Sequence, residues 1–421
     1  MVGMPAASAE TCLLCKTSRL LCGRSRCPLI EKWNALAPIK EIRLGEELRG
    51  ASPPSFFVGQ QGYPKVLTGP LLPALSFGQE TLILDEPELW YGTPLSEIVK
   101  YRSILVRSSR RTNVRDLDYP LIHKSHELAM ASRPVEIEVK FEKPPRVTIE
   151  FDASSQPWGP IGTTRDIHIA ENPGAIKSIE RAYYDGDLKA RNAVEELYRS
   201  GVTVNQLQRV LSAGMLGLKR NRRLVPTRWA ITATDDMIGR GLLGRIKDYP
   251  EMGSYQVFQS HYLDNHFYIL LIPSSWMFEQ NEAWYPGSAY VLGERAVVVS
   301  DYEFGDGRKE YAAKTAGAYY AARLATLEYL IRVRRQAGVV VFREVRSGYI
   351  VPLGVWQIRE NVRQAFRERP AEFSSLQEAL AFIKPGLKIP IEEWTHQSKI
   401  FDKLIHQRTL LTYFRRNTSR E

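Results

Sequence analysis

Two periodicities alternate along this chain of 421 residues, and they constrain the fold more tightly than any single motif does. Apolar and charged residues alternate strictly in "VEIEVKF", residues 135–141, and the pattern returns in "VTIEF" after "EKPP". Such alternation predicts strands with one buried and one solvated face, joined here as an antiparallel hairpin. Between residues 176 and 218 the apolar spacing becomes helical, and a break at Ser200-Gly201 separates two predicted helices. This irregular succession predicts an α+β fold with mixed, largely antiparallel sheets.

The second half of the chain repeats the mixture of strands and helices. Strands are predicted in "YQVFQSHYLDNHFYILLIP" and "AYVLGERAVVVSDYEF", and "EYAAKTAGAYYAARLATLEYLIRVRRQAG" predicts a long helix that ends at Gly338. "VVVFREVRSGYIVPLGVW" predicts a second hairpin that turns at residues 346–348. Because the chain exceeds one core of ordinary size, we expect several domains. The predicted parts are a small module at 1–30, a large α+β domain at 31–290, a smaller α+β domain at 291–395 and a flexible tail at 396–421.

The net charge favours an anionic partner without identifying it. The chain carries 57 Lys and Arg against 47 Asp and Glu, a formal net charge of +10, and its pI is about 9.3. Nucleic acid is one such partner, although thermophilic proteins are rich in charged residues for other reasons. The longest clearly apolar stretch, "FYILLIP", is shorter than the ~20 residues that span a bilayer, and the first residues lack the pattern of a secretory signal. We expect a cytoplasmic protein that does not enter a membrane.

All the cysteines lie near the start of the chain, in the order Cys12-x2-Cys15-x6-Cys22-x4-Cys27. Two close pairs of thiolates can surround a tetrahedral zinc ion, and the short segments between them are too small to form a core. Four cysteine ligands leave no open coordination position, so such a zinc would be structural. The alternative is a pair of disulfides, which are rare in the cytosol outside thermophiles. We predict one structural zinc ion on the four cysteines.

The stretch "LKRNRRLVPTRWAITATDD", residues 218–236, has the highest density of candidate binding residues. Guanidinium groups bind phosphate through two hydrogen bonds, and an adjacent indole can stack on a base. We therefore predict a phosphate or nucleic-acid site made by Lys219, Arg220, Arg222, Arg223, Arg228 and Trp229. The alternative is a solvated basic loop beside a buried tryptophan. A second arginine-rich stretch, "LVRSSRRTNVR" at 105–115, could also contact phosphates.

The sequence does not define a catalytic centre. Asp235 and Asp236 could bind a metal or act as acid and base. Thr234, however, is a natural N-cap that would place both carboxylates in the first turn of a helix, where the dipole favours them. His123 and His126 lie three residues apart, with no further metal ligand near them in sequence. Common nucleotide-binding, hydrolase and metalloprotease motifs are absent from the sequence. Whether the chain is an enzyme stays open, and no catalytic residue is predicted.

Five segments together resemble the Nre family of archaeal DNA-repair proteins. They are "SPPSFFVGQQGYPKVLTGPLLP", "DEPELWYGTPLSEIVKYRSILVR", "LVPTRWAITATDD", "AGAYYAARLATLEYL" and "VWQIRENVRQAF". With the cysteine cluster, which resembles the zinc module of that family, they extend over most of the chain. The resemblance implies a large N-terminal domain, a smaller C-terminal domain, a role in DNA-damage repair and an association with the sliding clamp PCNA. It does not imply a particular reaction.

The stretch "QRTLLTYF", residues 407–414, matches the PCNA-interacting (PIP) box, which is a glutamine followed by an aliphatic residue and two aromatics at fixed spacing. Leu410, Tyr413 and Phe414 would share one face of a helical turn and fill a hydrophobic pocket, while the amide of Gln407 reaches a separate polar site. We predict that these four residues bind PCNA. The alternative is the end of an amphipathic helix, since "SKIFDKLIH" upstream also has helical spacing.

Three functions follow from these observations. The leading hypothesis is a DNA-repair factor that binds DNA through basic surfaces and is recruited to PCNA. One alternative is a nucleotide- or nucleic-acid-processing enzyme with an arginine-lined phosphate pocket, which could hold a small nucleotide. The other is a non-enzymatic adaptor that bridges PCNA to another repair protein. A pocket with Arg228, Trp229 and a carboxylate of displaced pKa would favour the enzyme, whereas a continuous basic groove would favour DNA binding.

Overall fold

The computed structural model of the chain describes residues 12, 14–16, 19–22, 24, 26–40, 42, 44–75, 78–147, 158–289 and 295–406. These residues belong to two compact units. The first unit comprises Met1–Gly241 and Gly348–Glu360. The second unit comprises Leu242–Ser347 and Asn361–Glu421.

Helices occur along the whole described chain. The α-helices are α1 (Pro28–Lys40), α2 (Leu95–Ile104), α3 (Pro120–Met130), α4 (Lys177–Tyr184), α5 (Ala190–Arg199), α6 (Val204–Ser212), α7 (Thr227–Ile246), α8 (Gly317–Val333), α9 (Trp356–Ala365), α10 (Leu376–Ile383), α11 (Ile391–Gln397) and α12 (Lys399–His406). Short 3-10 helices occupy Gly78–Asp85, Pro87–Leu89, Lys219–Asn221 and Lys384–Gly386. The predicted break at Ser200-Gly201 is confirmed, because it separates α5 from α6 and Gly201 has a φ of +90°.

The sheet of the first unit is mixed. Its strands are β1 (Glu47–Ser52), β2 (Phe57–Val58), β3 (Lys65–Gly69), β4 (Leu71–Pro73), β5 (Leu105–Asn113), β6 (Val135–Phe141) and β7 (Ile161–Ile169). They are arranged in the order β1-β6-β7-β5-β3-β2, with β4 on β5. Strands β5 and β7 are parallel, and the remaining pairs are antiparallel.

The hydrophobic core of the first unit joins helices to this sheet. Leu36 and Ile39 of α1 and Leu128 of α3 are buried together with Ile137 and Val139 of β6. The apolar side chains of β6 are buried and its charged ones are not, as the alternation predicts. The sequence pattern therefore identified both the strand and its inward face.

The predicted hairpin partner of β6 is wrong. Val139 pairs with Leu48 of β1 on one edge and with Ile167 of β7 on the other. Both edges are thus occupied by strands other than residues 147–151, of which 148–151 lie outside the described residues. Alternation reports the buried face of a strand, whereas its neighbours depend on contacts that are remote in sequence.

The second unit contains another mixed sheet. Its strands are β8 (Tyr255–Tyr262), β9 (Asn265–Ile272), β10 (Met277–Trp284), β11 (Val297–Glu303), β12 (Gly338–Val345) and β13 (Ala371–Phe373). Their order is β11-β10-β12-β9-β8-β13, with β10 and β12 parallel. Strands β8 and β9 are joined by Leu263 and Asp264, both with positive φ, which suits the tight turn of a hairpin.

Two predictions for the second unit are corrected by the structure. The hairpin predicted at residues 346–348 is wrong, because β12 pairs with β9 on one edge and β10 on the other, and all its residues are buried. The long helix predicted to end at Gly338 is shorter, since α8 spans Gly317–Val333 and Arg334 adopts a left-handed conformation after it. Arg332 lies in the last turn of α8, where a cation suits the helix dipole, and the residues between Val333 and Gly338 are not helical.

Strand β10 is an interior strand, between β11 and β12, although hydropathy gives no sign of it. Its four consecutive polar residues, 279–282, are each at most 1% exposed. Glu282 lies 2.7 Å from Nη1 of Arg343, and Glu279 accepts hydrogen bonds from the first two amides of α12 at 3.0 and 3.1 Å. These partners offset the desolvation of the charges, which is why a polar strand can lie inside this sheet.

The described chain is folded through His406. Trp394 of α11 and Ile400 and Phe401 of α12 are buried in one core with Phe342 of β12. Residues 399–406, predicted as part of the tail, are therefore helical, while the motif at 407–414 lies outside the described residues. The division into four parts stays a prediction.

The α+β class with mixed, largely antiparallel sheets is confirmed. Within the described part of the chain, none of the helices is both long enough and apolar enough to cross a membrane.

Candidate phosphate-binding site

A cavity of about 440 Å³ lies in the first unit and collects most of the predicted basic residues. We call it the basic pocket. Its lining is made by Arg115, Leu117, Asp118, His123, His126, Tyr183, Gly214, Lys219, Arg220, Asn221, Arg222 and Arg223. The volume falls in the range of ~300–1,000 Å³ that is usual for small-molecule sites.

Four separate segments contribute to the basic pocket. Arg115 follows the end of β5, His123 and His126 lie on α3, and Tyr183 lies at the end of α4. The remaining wall is the segment between α6 and α7, which includes the basic run predicted from the sequence. The two histidines and the second arginine-rich stretch, which looked unrelated in sequence, thus meet the basic run in the fold.

A glycine closes the loop between α6 and α7. Gly214 has a φ of +73°, and a Cβ atom there would lie 2.6 Å from the carbonyl oxygen of Arg223. Ser212 and Val225 hold the two ends of the loop together, since the amide of Val225 donates to the carbonyl of Ser212 at 2.9 Å. The cations of the loop are therefore presented by a backbone of defined shape.

Arg222 builds the wall of the pocket. Its guanidinium donates hydrogen bonds to the carbonyl oxygens of Gly217 at 2.7 Å, Tyr183 at 2.6 Å, Asp185 at 2.6 Å and Ala182 at 3.4 Å. Burial lowers the pKa of this guanidinium from its usual value. Arg222 contributes positive charge to the basic pocket, but most of its N–H groups are already bound to the protein.

His126 and Tyr183 form a second structural contact in the wall. Nε2 of His126 lies 2.8 Å from the carbonyl oxygen of Ala213 and must donate to it, so Nδ1 accepts from the hydroxyl of Tyr183 at 3.3 Å. Burial above all, together with the nearby His123 and Arg222, lowers the pKa of His126 to about 4. Burial also raises the pKa of Tyr183. At neutral pH this pair is uncharged, and it ties α3 to the neighbouring segments.

The other four cations of the pocket remain available. Arg115, Lys219, Arg220 and Arg223 are exposed, and none makes an ion pair with a described residue. Asp118 is the single acidic residue in the lining. Five cations against one carboxylate leave the pocket strongly positive.

The structure separates the remaining two predicted residues from the pocket. Arg228 and Trp229 lie in the first turn of α7 and are absent from the lining. Trp229 is exposed and not part of the core, and its ring packs against that of Tyr63 with centroids 5.3 Å apart. The sequence analysis did not identify Tyr63 or Tyr183 as candidate residues. For Tyr63, the nearby Gly59 and Gly62 could have indicated that it lies in a turn.

The aspartates proposed as acid and base are engaged in ion pairs. The predicted cap at Thr234 is wrong, because α7 begins at Thr227 and both aspartates lie inside it. Asp235 is buried, and Nη1 of Arg359 lies 2.8 Å from each of its oxygens. Asp236 pairs with Arg240 at 2.7 Å. Neither carboxylate lines the basic pocket, so their contacts are those of structural residues.

The cysteine cluster has a suitable set of donors but no assembled metal centre. No disulfide joins the four cysteines. Burial raises the pKa of Cys12, and the thiols of Cys22, Cys27 and Cys15 raise it further, so the four sulfurs lie close enough to interact. Even so, no three ligands among the described residues are placed to hold an ion. Zinc stays a prediction from the spacing.

The fold and the pocket define a two-unit α+β protein with a basic cavity in the first unit. Family models described as "Archaeal Nre, N-terminal" and "Archaeal Nre, C-terminal" match residues 21–291 and 303–413. The chain belongs to the archaeal Nre family, which confirms the resemblance seen in the sequence.

Curated relatives extend over nearly the whole chain. It is 38% identical to the DNA repair protein NreB of Archaeoglobus fulgidus over 399 residues, which cover 95% of this chain and 98% of that protein. The DNA repair protein NreA of the same organism is 38% identical over 91% of this chain and 95% of its own length. NreA of Haloferax volcanii is 35% identical over 85% and 87%, respectively. No solved structure matches the chain.

Proposed function

We propose that this chain is a DNA-repair protein that binds the phosphates of DNA at the basic pocket and is recruited to PCNA through residues 407–414. The observation that carries the proposal is the cavity of about 440 Å³ lined by four cations without ion pairs to described residues. The repair role is supported by the names of relatives that match the chain over most of its length.

The charge of the pocket supports phosphate as the ligand. Arg115, Arg220 and Arg223 approach from two segments, and planar guanidinium groups suit the geometry of phosphate oxygens better than single point charges do. Arg222 adds a charge that is fixed by backbone carbonyls and cannot turn away. A polynucleotide bound here releases counterions, so its affinity depends steeply on salt.

The described end of the chain supports recruitment to the clamp. Helix α12 is held at its start by the buried Glu279, and Phe401 anchors it in the core of the second unit. The PIP motif begins with Gln407, directly after the last residue of this helix. Its attachment point on the second unit is therefore fixed.

The cysteines fit the same function as a structural module. We propose that Cys12, Cys15, Cys22 and Cys27 hold one zinc ion, since their donor chemistry suits zinc and the segments between them are too short for a core.

A second candidate function is favoured by the size of the cavity. A volume of about 440 Å³ can hold a mononucleotide, as the alternative of a nucleotide-processing enzyme requires. The low pKa of His126 leaves it neutral, and its ring nitrogens are bound to Ala213 and Tyr183. DNA binding is therefore the better supported function, because the lining supplies mainly positive charge and its buried histidine is held by the fold.

The test is the salt dependence of DNA binding by the full chain. Replacing Arg115, Arg220 and Arg223 with Ala is expected to weaken binding and to reduce the slope of log K against log salt by up to about 3. A control with Arg245, Arg295 and Arg369 replaced by Ala loses the same charge from exposed positions outside the pocket. An unchanged slope in the pocket variant, or an equal reduction in the control, would refute the proposal.

A further inference from the structure

An exposed pair of aromatic rings lies outside the basic pocket. Tyr63 is 43% exposed and Trp229 is 47% exposed, and their rings are 5.3 Å apart with planes tilted by 46°. Tyr63 comes from the turn between β2 and β3, whereas Trp229 comes from the start of α7. The pair is thus assembled by the fold from remote segments, although each ring keeps much of its surface in water. We call it the aromatic platform.

Hydrogen bonds hold both halves of the aromatic platform in place. The amide of Val58, at the end of β2, donates to Oγ1 of Thr227 at 2.9 Å, which joins the strand to the start of α7. The amide of Trp229 donates to the carbonyl of Pro226 at 2.8 Å. In the turn, Gly62 has a φ of +80°, and a Cβ atom there would lie 2.8 Å from the carbonyl oxygen of Lys65. The rings are therefore presented by ordered backbone, which reduces the entropy lost when they bind a ligand.

Two backbone hydrogen bonds connect the segment of the platform residue Tyr63 with segments that line the basic pocket. The amide of Val114 donates to the carbonyl of Pro64 at 2.9 Å, and its carbonyl accepts from the amide of Leu224 at 2.8 Å. Pro64 directly follows Tyr63 of the platform. The pocket residue Arg115 directly follows Val114, and the pocket residue Arg223 directly precedes Leu224. Because hydrogen-bonded segments lie about 5 Å apart and consecutive Cα atoms about 3.8 Å, the platform and these arginines are separated by on the order of 10 Å.

We propose that Tyr63 and Trp229 stack on an unpaired base of a single DNA strand whose phosphates occupy the basic pocket. This inference rests on the proposed function. Aromatic rings beside a cationic groove are the arrangement by which proteins bind single strands, because every base has a face that can stack. In a duplex the faces of the bases are already covered by their neighbours, so the aromatic platform gives a preference for single-stranded DNA. The exposed Arg228 precedes Trp229 and adds a positive charge near the aromatic platform.

The experiment compares a single-stranded oligothymidine, a duplex of the same length and a single strand with abasic positions, each titrated against the full chain by fluorescence anisotropy. Replacing Tyr63 and Trp229 with Ala is expected to weaken binding of the oligothymidine about 5- to 150-fold, which is the usual range for one stacked base. Binding of the duplex and the salt slope of the single strand should be unchanged. Replacing the two residues with Phe keeps both rings and should preserve most of the affinity.

The abasic strand isolates the stacking contact. It keeps the phosphates but lacks bases to stack, so the wild type and the Ala variant should bind it with equal affinity. A matched control replaces Tyr311 and Phe382, which are 55% and 41% exposed in the second unit, and should bind the oligothymidine like the wild type. A thermal melt of each variant shows whether the fold is retained. If the Ala variant is unfolded, the comparison is made with the Phe variant.

The outcomes distinguish this inference from the proposed function. If the oligothymidine binds the Ala variant as tightly as the wild type, or if duplex binding falls by the same factor, the rings do not stack on bases. If the wild type binds none of the three DNA probes, the DNA-binding function itself is refuted. If pocket variants weaken binding and platform variants do not, the proposed function stands and the aromatic platform is excluded as a base-binding surface.

Discussion

Two adjacent aspartates in α7 make a matched test of how burial changes the contribution of an ion pair. The side chain of Asp235 is fully buried and pairs with Arg359, of which only 1% is exposed, while Gln208 donates to it at 3.2 Å. The side chain of Asp236 is 25% exposed and pairs with Arg240, of which 43% is exposed, at a spacing of four residues. The perturbation is Asp235→Ala, with Asp236→Ala as its control.

The expected magnitudes follow from this difference in exposure. Asp235→Ala removes the carboxylate that Nη1 of Arg359 contacts at 2.8 Å and leaves this buried guanidinium with the longer contact of 3.7 Å to Glu360. Breaking a buried pair in this way costs about 3–5 kcal/mol. Asp236→Ala removes a solvated pair, which contributes about 0.3–0.5 kcal/mol. For a domain of ~150–250 residues each kcal/mol moves the melting temperature by ~2–4 °C, so the expected shifts are about 6–20 °C against about 1–2 °C.

The assay is the unfolding of both single variants by heat and by urea. The signal to monitor is the unfolding transition of the first unit, to which both ion pairs belong. A rescue variant, Asp235→Leu with Arg359→Met, replaces the ion pair with apolar side chains of comparable size. It leaves no unpaired charge at positions 235 and 359, while Glu360 loses its contact with Nε of Arg359 at 3.7 Å and Gln208 loses its hydrogen bond to Asp235. We therefore expect it to regain part of the lost stability. Equal destabilisation by the two Ala variants, or a rescue variant no better than Asp235→Ala, would refute the reasoning from burial.

Three further predictions concern other parts of the chain. Metal analysis of the purified protein should find about one zinc per chain, and zero zinc together with two disulfides by mass spectrometry would contradict the assignment of the four cysteines. A Tyr413→Ala, Phe414→Ala variant should lose binding to PCNA at an unchanged melting temperature, whereas a melt lowered by several degrees would indicate a core role for these rings. His126, with its pKa lowered to about 4 from 6.5, takes up a proton more readily when unfolded. Stability should therefore fall as the pH drops from about 6.5 to about 4, more weakly in His126→Gln, and an imidazole that titrates near 6.5 by NMR would exclude this effect.

Much of the secondary structure was predictable because it has a local cause. The alternation in β6 marked its buried face, and Gly201 separated two helices since only glycine adopts its backbone angle readily. Strand β10 escaped prediction for the opposite reason. Glu279 and Glu282 look like solvated residues in the sequence, and their burial depends on Arg343 and on the amides of α12.

The candidate site was predictable only in part. The basic run at 219–223 was visible as charge density, yet the sequence could not show that Arg222 is bound by carbonyls while its neighbours are available. It also gave no reason to join this run with Arg115 or His126, which are about a hundred residues away. Such partners are chosen by the packing of helices and strands, and packing leaves no periodic trace in the chain.

The sequence by itself determined the α+β class, the family, the cysteine spacing and the PIP motif, because each is written in neighbouring residues. Only the tertiary structure decided which charged side chains are paired within the protein and which are accessible to a ligand. It buried Asp235 against Arg359, left Asp236 near the surface, and placed Trp229 beside Tyr63 and outside the lining of the pocket. The physical reason is that the energy of a charge or a ring depends on its solvent exposure and its partners, and both are set by segments distant in the chain.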